Sequence, residues 1–249
     1  MGWFSGSYDN YQFTMFAASH LAVIVLLIAA VIATYYFRHS FSASWAKTLE
    51  RLFALSILSA EGIYHIWMRV NDDWRLSHAL PLELCSISLF LTAALLLTRK
   101  KIYYEIVLFT GLLGASQALF TPFLHFDFPH FRYFHFFFTH VIIFWTPLYF
   151  TWTQGYRPTI YSVAKFMIFL QLLMPIILLV NKTTGGNYMF LSHKPESASL
   201  LNILGPYPFY ILSLEMIALS LSLLIWVVFK QRSRQSRTEQ QSYEHSVGS

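Results

Sequence analysis

Seven stretches of about 20 mostly apolar residues, the length that a bilayer core demands of a helix, follow one another along this chain. They run Met15–Phe37, Thr48–Arg69, His78–Thr98, Ile102–Thr121, Arg132–Trp152, Ile160–Asn181 and Pro206–Phe229. The expected fold is therefore all-α, a polytopic bundle of seven transmembrane helices. Composition agrees: 56% of residues are hydrophobic, 12% are charged and the mean hydropathy is +0.49. Those values exclude an ordinary soluble domain and a disordered chain. The short connections leave no room for a second domain.

The basic residues orient the bundle. One set of connections carries Arg38, Lys47, Arg51, Arg99, Lys100, Lys101, Arg157, Lys165, Lys230, Arg232, Arg234 and Arg237. The other carries Arg69, Arg75, Arg132, Lys182 and Lys194, which completes the 17 Lys and Arg of the chain. Positive loops stay cytoplasmic, so the amino terminus is expected outside and the carboxyl terminus in the cytoplasm. The net charge of +5 is spread between apolar spans rather than gathered in one patch, which argues against a nucleic-acid partner. The residues before Met15 contain Asp9 but no Lys or Arg, so the first span lacks the basic start of a signal peptide. The expected division is an extracellular segment over 1–14, a seven-helix domain over 15–230 with an outer loop at 182–205, and a disordered polar tail over 231–249. Aromatic residues near span ends, such as Tyr35, Tyr36, Trp145, Tyr149 and Trp152, read as an interfacial belt.

Ionisable residues inside these spans are costly and mark function when they cluster. Counting inward from the outer span ends at ~1.5 Å per residue puts Cys85 roughly 10 Å deep and His140, Glu61 and Glu215 roughly 12–13 Å deep. His20, His65, Glu83 and Gln117 lie at roughly 6–8 Å on the same rise. Residues from several helices thus share one slab, which points to a polar cavity open to the outer leaflet. Glu61 and His65 are four apart and share a helix face. Glu105 and Lys165 lie near the cytoplasmic ends, where they can snorkel.

Cys85 and His140 make the sharpest chemical reading, a thiol activated by an imidazole, with Glu83, Glu61 or Glu215 orienting the base. Zinc is the rival, because His20, His65, His140 and the glutamates are competent ligands. Paired ligand spacings such as HExxH are absent, however, and no metal or other cofactor is expected. A retinal-type receptor needs a lysine within the seventh span, which has none before Lys230. The single cysteine forms no intrachain disulfide.

The segments LPLELCSIS around Cys85, HFFFTHVIIFWTPLYF around His140 and NYMFLSHKPESASLLNILGPYPFY from Asn187 resemble the YwaF / transmembrane protein 164 family of integral membrane proteins. The resemblance spans essentially the whole membrane part, is closest to the bacterial branch and implies a multi-pass protein of the bacterial plasma membrane. Eukaryotic members are implicated in acyl transfer to phospholipids through an intramembrane cysteine and histidine, and Cys85 and His140 match those positions. Leu82 and Glu83 stand before Cys85 where the eukaryotic branch has Asn-Pro, and Ser86 rather than His follows it.

Two functions follow from these residues. In the leading one, a membrane lipid or acyl group is the substrate, with Cys85 as nucleophile, His140 as base and Glu83 or Glu61 as orienting carboxylate. His20, Glu61, His65, Gln117 and Glu215 then line the pocket. In the other, the same carboxylates and imidazoles bind or transport a polar solute or protons. No feature of the sequence specifies an oligomeric state.

Overall fold

A computed structural model describes residues 2–7, 11–40, 43–195 and 203–231. Among them the secondary structure is helical without strands, apart from one isolated bridge between Gln12 and Phe126. Seven helices of fifteen residues or more follow in order. They are α1 (Ala18–Tyr36), α2 (Ala43–Val70), α3 (Leu84–Thr98), α4 (Lys101–Phe120), α5 (Phe131–Thr153), α6 (Ile160–Thr184) and α7 (Phe209–Phe229). The expected tail lies, from residue 232 on, outside the described residues, as does 196–202 of the expected outer loop.

Four of these helices are long and apolar enough to cross a membrane by length and composition: α1, α4, α6 and α7. The other three fall short of the sequence expectation for physical reasons. Helix α3 begins at Leu84 rather than His78, which leaves about 22 Å of helix. Pro81 lacks a backbone donor and disfavours helix at the residue before it. The segment before Leu84 is held instead by Tyr188, whose hydroxyl donates to Leu76 O and accepts from Leu80 N. Helix α2 carries Lys47, Glu50, Arg51, Glu61 and Arg69, and α5 interleaves Arg132, His135 and His140 with its aromatic residues.

The helices alternate in direction, and the two ends of the bundle are built differently. Helix α1 buries only His20, Leu27 and Thr34, spaced by seven, so one stripe packs on the bundle and the remainder faces outward. Helices α2, α3, α4 and α5 share the main core of Ala54, Ile57, Leu89, Leu95, Leu96, Tyr104, Leu108, Ile142 and Phe150. Helix α7 packs chiefly along α6 and is otherwise almost wholly exposed. Within α4 a π-helical turn runs Thr110–Ala115. Gly111 lies in it, and a Cβ there would stand 2.7 Å from the Ile143 carbonyl, so only glycine lets α4 approach α5 this closely.

The Arg99 end is tied by charge. Arg99 donates to Glu50 through Nε at 2.6 Å and Nη2 at 2.9 Å, and the Tyr149 hydroxyl donates to the same carboxylate at 2.8 Å. Nearby, Lys165 Nζ and the Ser162 hydroxyl both reach Glu105, at 2.6 and 2.8 Å. Glu105 and Lys165 therefore satisfy one another. The opposite end, named here for His130, holds the aromatic cluster of Trp67, Phe126, Phe131, Tyr133 and Phe137.

Candidate functional site

The polar residues expected in one slab resolve into separate groups. The largest is centred on Glu61, which is 6% exposed on α2. Arg132 Nη1 donates to His135 Nδ1 at 2.9 Å, so that nitrogen accepts and the proton sits on Nε2. Nε2 then donates to Glu61 Oε2 at 3.1 Å. On the other side, Trp74 Nε1 donates to His65 Nδ1 at 3.3 Å, which turns the protonated Nε2 of His65 towards Glu61 Oε1 at 3.8 Å. One carboxylate is thus flanked by two imidazole N–H groups, each oriented by a donor behind it. Arg132 lies 4.0 Å over the Tyr64 ring, and Tyr64 stacks on His135 at 4.5 Å.

Sequence reasoning missed Arg132 and His135. The signal was present: Glu61 in an apolar span needs a counter-charge, and Arg132 and His135 are three apart on one helix face. By position Arg132 reads as a residue of the connections, and His135 stands outside the Cys85–His140 reading.

Four expectations need correction. His20 is fully buried, but both its nitrogens are committed to backbone, Nδ1 accepting from Phe16 N at 3.0 Å and Nε2 donating to Leu119 O at 2.8 Å. It pins α1 to the end of α4. Gln117 is exposed on the last turn of α4 and lacks a side-chain partner among the described residues. Glu215 accepts from Gln171 Nε2 at 2.7 Å, a bond within the peripheral α6–α7 pair, and not from Glu61 or His140. Finally, among the described residues no carboxylate is hydrogen-bonded to His140.

That orientation comes from backbone. His140 Nδ1 lies 2.7 Å from the Phe136 carbonyl, one turn earlier on α5, and its ring packs 4.3 Å from Phe136. A carbonyl only accepts, so Nδ1 carries the proton and Nε2 is the basic nitrogen. Nε2 has no hydrogen-bond partner among the described residues. Glu83, expected as the orienting acid, instead accepts from Met189 N at 2.9 Å and so holds the connection after α6 against the start of α3. Met189 and Phe190 have φ of 56° and 53°, a conformation rarely adopted by residues other than glycine. Asn181 brackets Tyr188 through both amide atoms, and the Tyr210 hydroxyl bonds to Phe190 O.

Cys85 is the second residue of α3. Helix first-turn N–H groups have no intrahelical acceptor, and no side chain caps this helix. The thiol is a half-buried free cysteine without a hydrogen bond among the described residues, and it faces Gly114 of the π-turn, whose Cβ would lie 3.8 Å from Sγ. No hydrogen bond joins Cys85 to His140. The two residues sit on packed helices, α3 and α5. Among the described residues, no group of three or more His, Cys, Asp or Glu is arranged to hold a metal.

Apolar helices of bilayer length, with ionisable groups satisfied inside the bundle, define an all-α membrane protein. The chain belongs to the TMEM164 family, whose family model matches residues 11–226. No curated protein and no solved structure matches it.

Proposed function

We propose that the protein is an acyl-handling enzyme acting on membrane lipids, with Cys85 as nucleophile and His140 as general base. The observation that carries this reading is the tautomer of His140. With Nδ1–H tied to Phe136 O, the free Nε2 lone pair is fixed as the proton acceptor, in a bundle that holds an unpaired thiol at a helix start.

In the first half-reaction the Cys85 proton passes to His140 Nε2 and the thiolate adds to the carbonyl carbon of a lipid ester. The tetrahedral oxyanion is met by the backbone N–H groups of the first turn of α3, where unsatisfied donors and the helix dipole favour negative charge. Collapse breaks the ester C–O bond, leaving a Cys85 thioester, and the departing alkoxide takes the proton from His140. In the second half-reaction an acceptor hydroxyl gives its proton to Nε2 and attacks the thioester, restoring the thiol. Hydrogen bonds that are open in a free enzyme commonly close in the substrate complex. The direct test is acyl transfer from a phospholipid with a labelled chain to a lysolipid, in vesicles carrying the purified protein. Transfer that persists in Cys85→Ser counts against the reading.

The Glu61 chain favours a second reading, a binding or transport protein for protons or a polar solute. Trp74, His65, Glu61, His135 and Arg132 form a continuous polar line. Glu61→Gln separates the two: it stops a transporter and leaves acyl transfer in place, whereas Cys85→Ser does the reverse.

We also propose that all seven helices cross the membrane, with the His130 end outside and the tail in the cytoplasm of a bacterial cell. Helix α3 spans together with the ordered segment that precedes it. A reporter fused after Ser249 is expected to read as cytoplasmic and one placed before Met15 as external. Finding both on one side contradicts an odd number of crossings.

A further inference from the structure

Residues 3–5 and 11–13 lie as a strap across the His130 end. Phe131 N donates to Trp3 O at 2.8 Å, Asn71 Nδ2 to Phe4 O at 3.2 Å, and His130 Nε2 to Ser5 O at 2.9 Å. Further along, Asp127 N donates to Tyr11 O at 2.6 Å and Phe13 N to His125 O at 3.0 Å. Trp3 and Phe4 pack on Phe131, at 6.4 and 4.9 Å between ring centres. Gly6, Trp67, Asn71, Asp73 and Phe126 line a cleft beneath the strap, and Trp67, whose indole N–H lacks a hydrogen-bond partner among the described residues, is also 5.5 Å under Arg132. The strap therefore closes over the place where the buried Arg132–His135–Glu61 line begins.

Two bundle side chains bond to the strap, Asn71 and His130, and of these only His130 titrates. His130 is fully buried and is the N-cap of α5. Its Nδ1 accepts from Arg132 N at 3.1 Å, so the proton must sit on Nε2, which donates to Ser5 O. Both nitrogens are used, and only the neutral ring can use them this way. A second proton has to enter at Nδ1, where it confronts the Arg132 N–H and ends the cap.

We propose that His130 is an acid-released latch, which holds the strap over the mouth of the Arg132–His135–Glu61 line while neutral and frees it when protonated. The charged and titratable groups around it are Arg132 on its own helix, Asp127 in the preceding loop, whose carbonyl accepts from His130 N at 2.9 Å, and Tyr11 of the strap at 5.4 Å. Helix α2 presents the uncharged Trp67, 6.3 Å away. Burial holds the protonation of His130 below the usual histidine range, and Arg132 pushes the same way, against the Ser5 carbonyl. A group with a depressed folded pKa stabilises the closed form at and above its ordinary value of 6.5 and loses that contribution as pH falls through the folded value. Acid therefore opens the strap.

The test is a spin-label distance across the latch, which does not depend on probe chemistry at low pH. Nitroxides are placed at Gly2→Cys, where a side chain meets nothing within 4 Å, and at the exposed Leu76→Cys, in full-length Cys85→Ala protein in vesicles. One narrow distance is expected at pH 7.5. A longer population should grow as pH falls below about 6.5, its ratio to the closed form rising at most about tenfold per pH unit for a single proton. His130→Asn keeps a capping oxygen but cannot titrate, and its distribution should be the same at pH 7.5 and 4.5. A control pair at Trp45→Cys and Tyr161→Cys should stay narrow throughout. The latch is overturned by an unchanged strap distance in the parent protein, by the same pH response in His130→Asn, or by equal broadening of the control pair.

Discussion

Cys85→Ser is expected to lower acyl transfer by about 10³-fold or more, the scale seen when a catalytic nucleophile is removed, while leaving the bundle folded. The exchange of sulfur for oxygen is nearly isosteric, and the thiol makes no hydrogen bond that the hydroxyl fails to replace. Serine nevertheless needs a stronger base than an imidazole oriented only by the Phe136 carbonyl. His140→Ala should cost about 10²–10⁴-fold, the usual share of a general base. Because both residues serve the same proton transfer, the double variant should be scarcely worse than Cys85→Ser alone. Side-by-side turnover in vesicles, with folding checked by thermal melting, reads all three. Additive losses contradict a shared step.

Glu50→Ala is expected to destabilise the bundle. Glu50 is 2% exposed and satisfies Arg99 twice and Tyr149 once. Its removal takes the acceptor from the Arg99 guanidinium, which is a quarter exposed and can turn to water, and one acceptor from the Tyr149 hydroxyl, a loss of about 1–3 kcal/mol. For a protein of this size that is a fall of roughly 2–12 °C in melting temperature. Replacing both partners, as Glu50→Leu with Arg99→Leu, should recover most of the loss, because no charge is left unpaired. A double variant as unstable as the single one shows that the ion pair itself, rather than the unpaired charge, dominates. Activity per folded molecule should not change, since these residues lie at the end away from Cys85.

The helices were legible because hydropathy and length act locally, residue by residue. Every expected span ends within a few residues of an observed helix, and all but α2 and α3 also begin so. Helix α3 starts late because Pro81 and the contacts of Tyr188 make a local decision that mean hydropathy averages away. The polar groups were legible in depth but not in direction. Counting residues placed Glu61, His20, Glu83 and Glu215 in one slab, yet partner choice depends on which helices are neighbours. His20 turned to backbone at Leu119, Glu83 to Met189 across a connection, and Glu215 to Gln171 on the next helix. Arg132 escaped notice because its position at a span end made a solvated loop residue the simpler reading. Only the fold shows that it folds back over Tyr64 to complete the Glu61 line. The π-turn and the close approach at Gly111 have no periodic signature, since one inserted residue shifts the pattern by less than the scatter of an apolar span.

The most direct measurement is the mass of the intact protein after brief exposure to a phospholipid with an isotopically marked acyl chain. Cys85 should carry that chain as a thioester, located on the peptide that contains it and released by neutral hydroxylamine. The adduct should form far more slowly in His140→Ala and disappear when a lysolipid acceptor is added. Labelled product that accumulates with no thioester at Cys85, under conditions that trap one, contradicts nucleophilic catalysis by this residue.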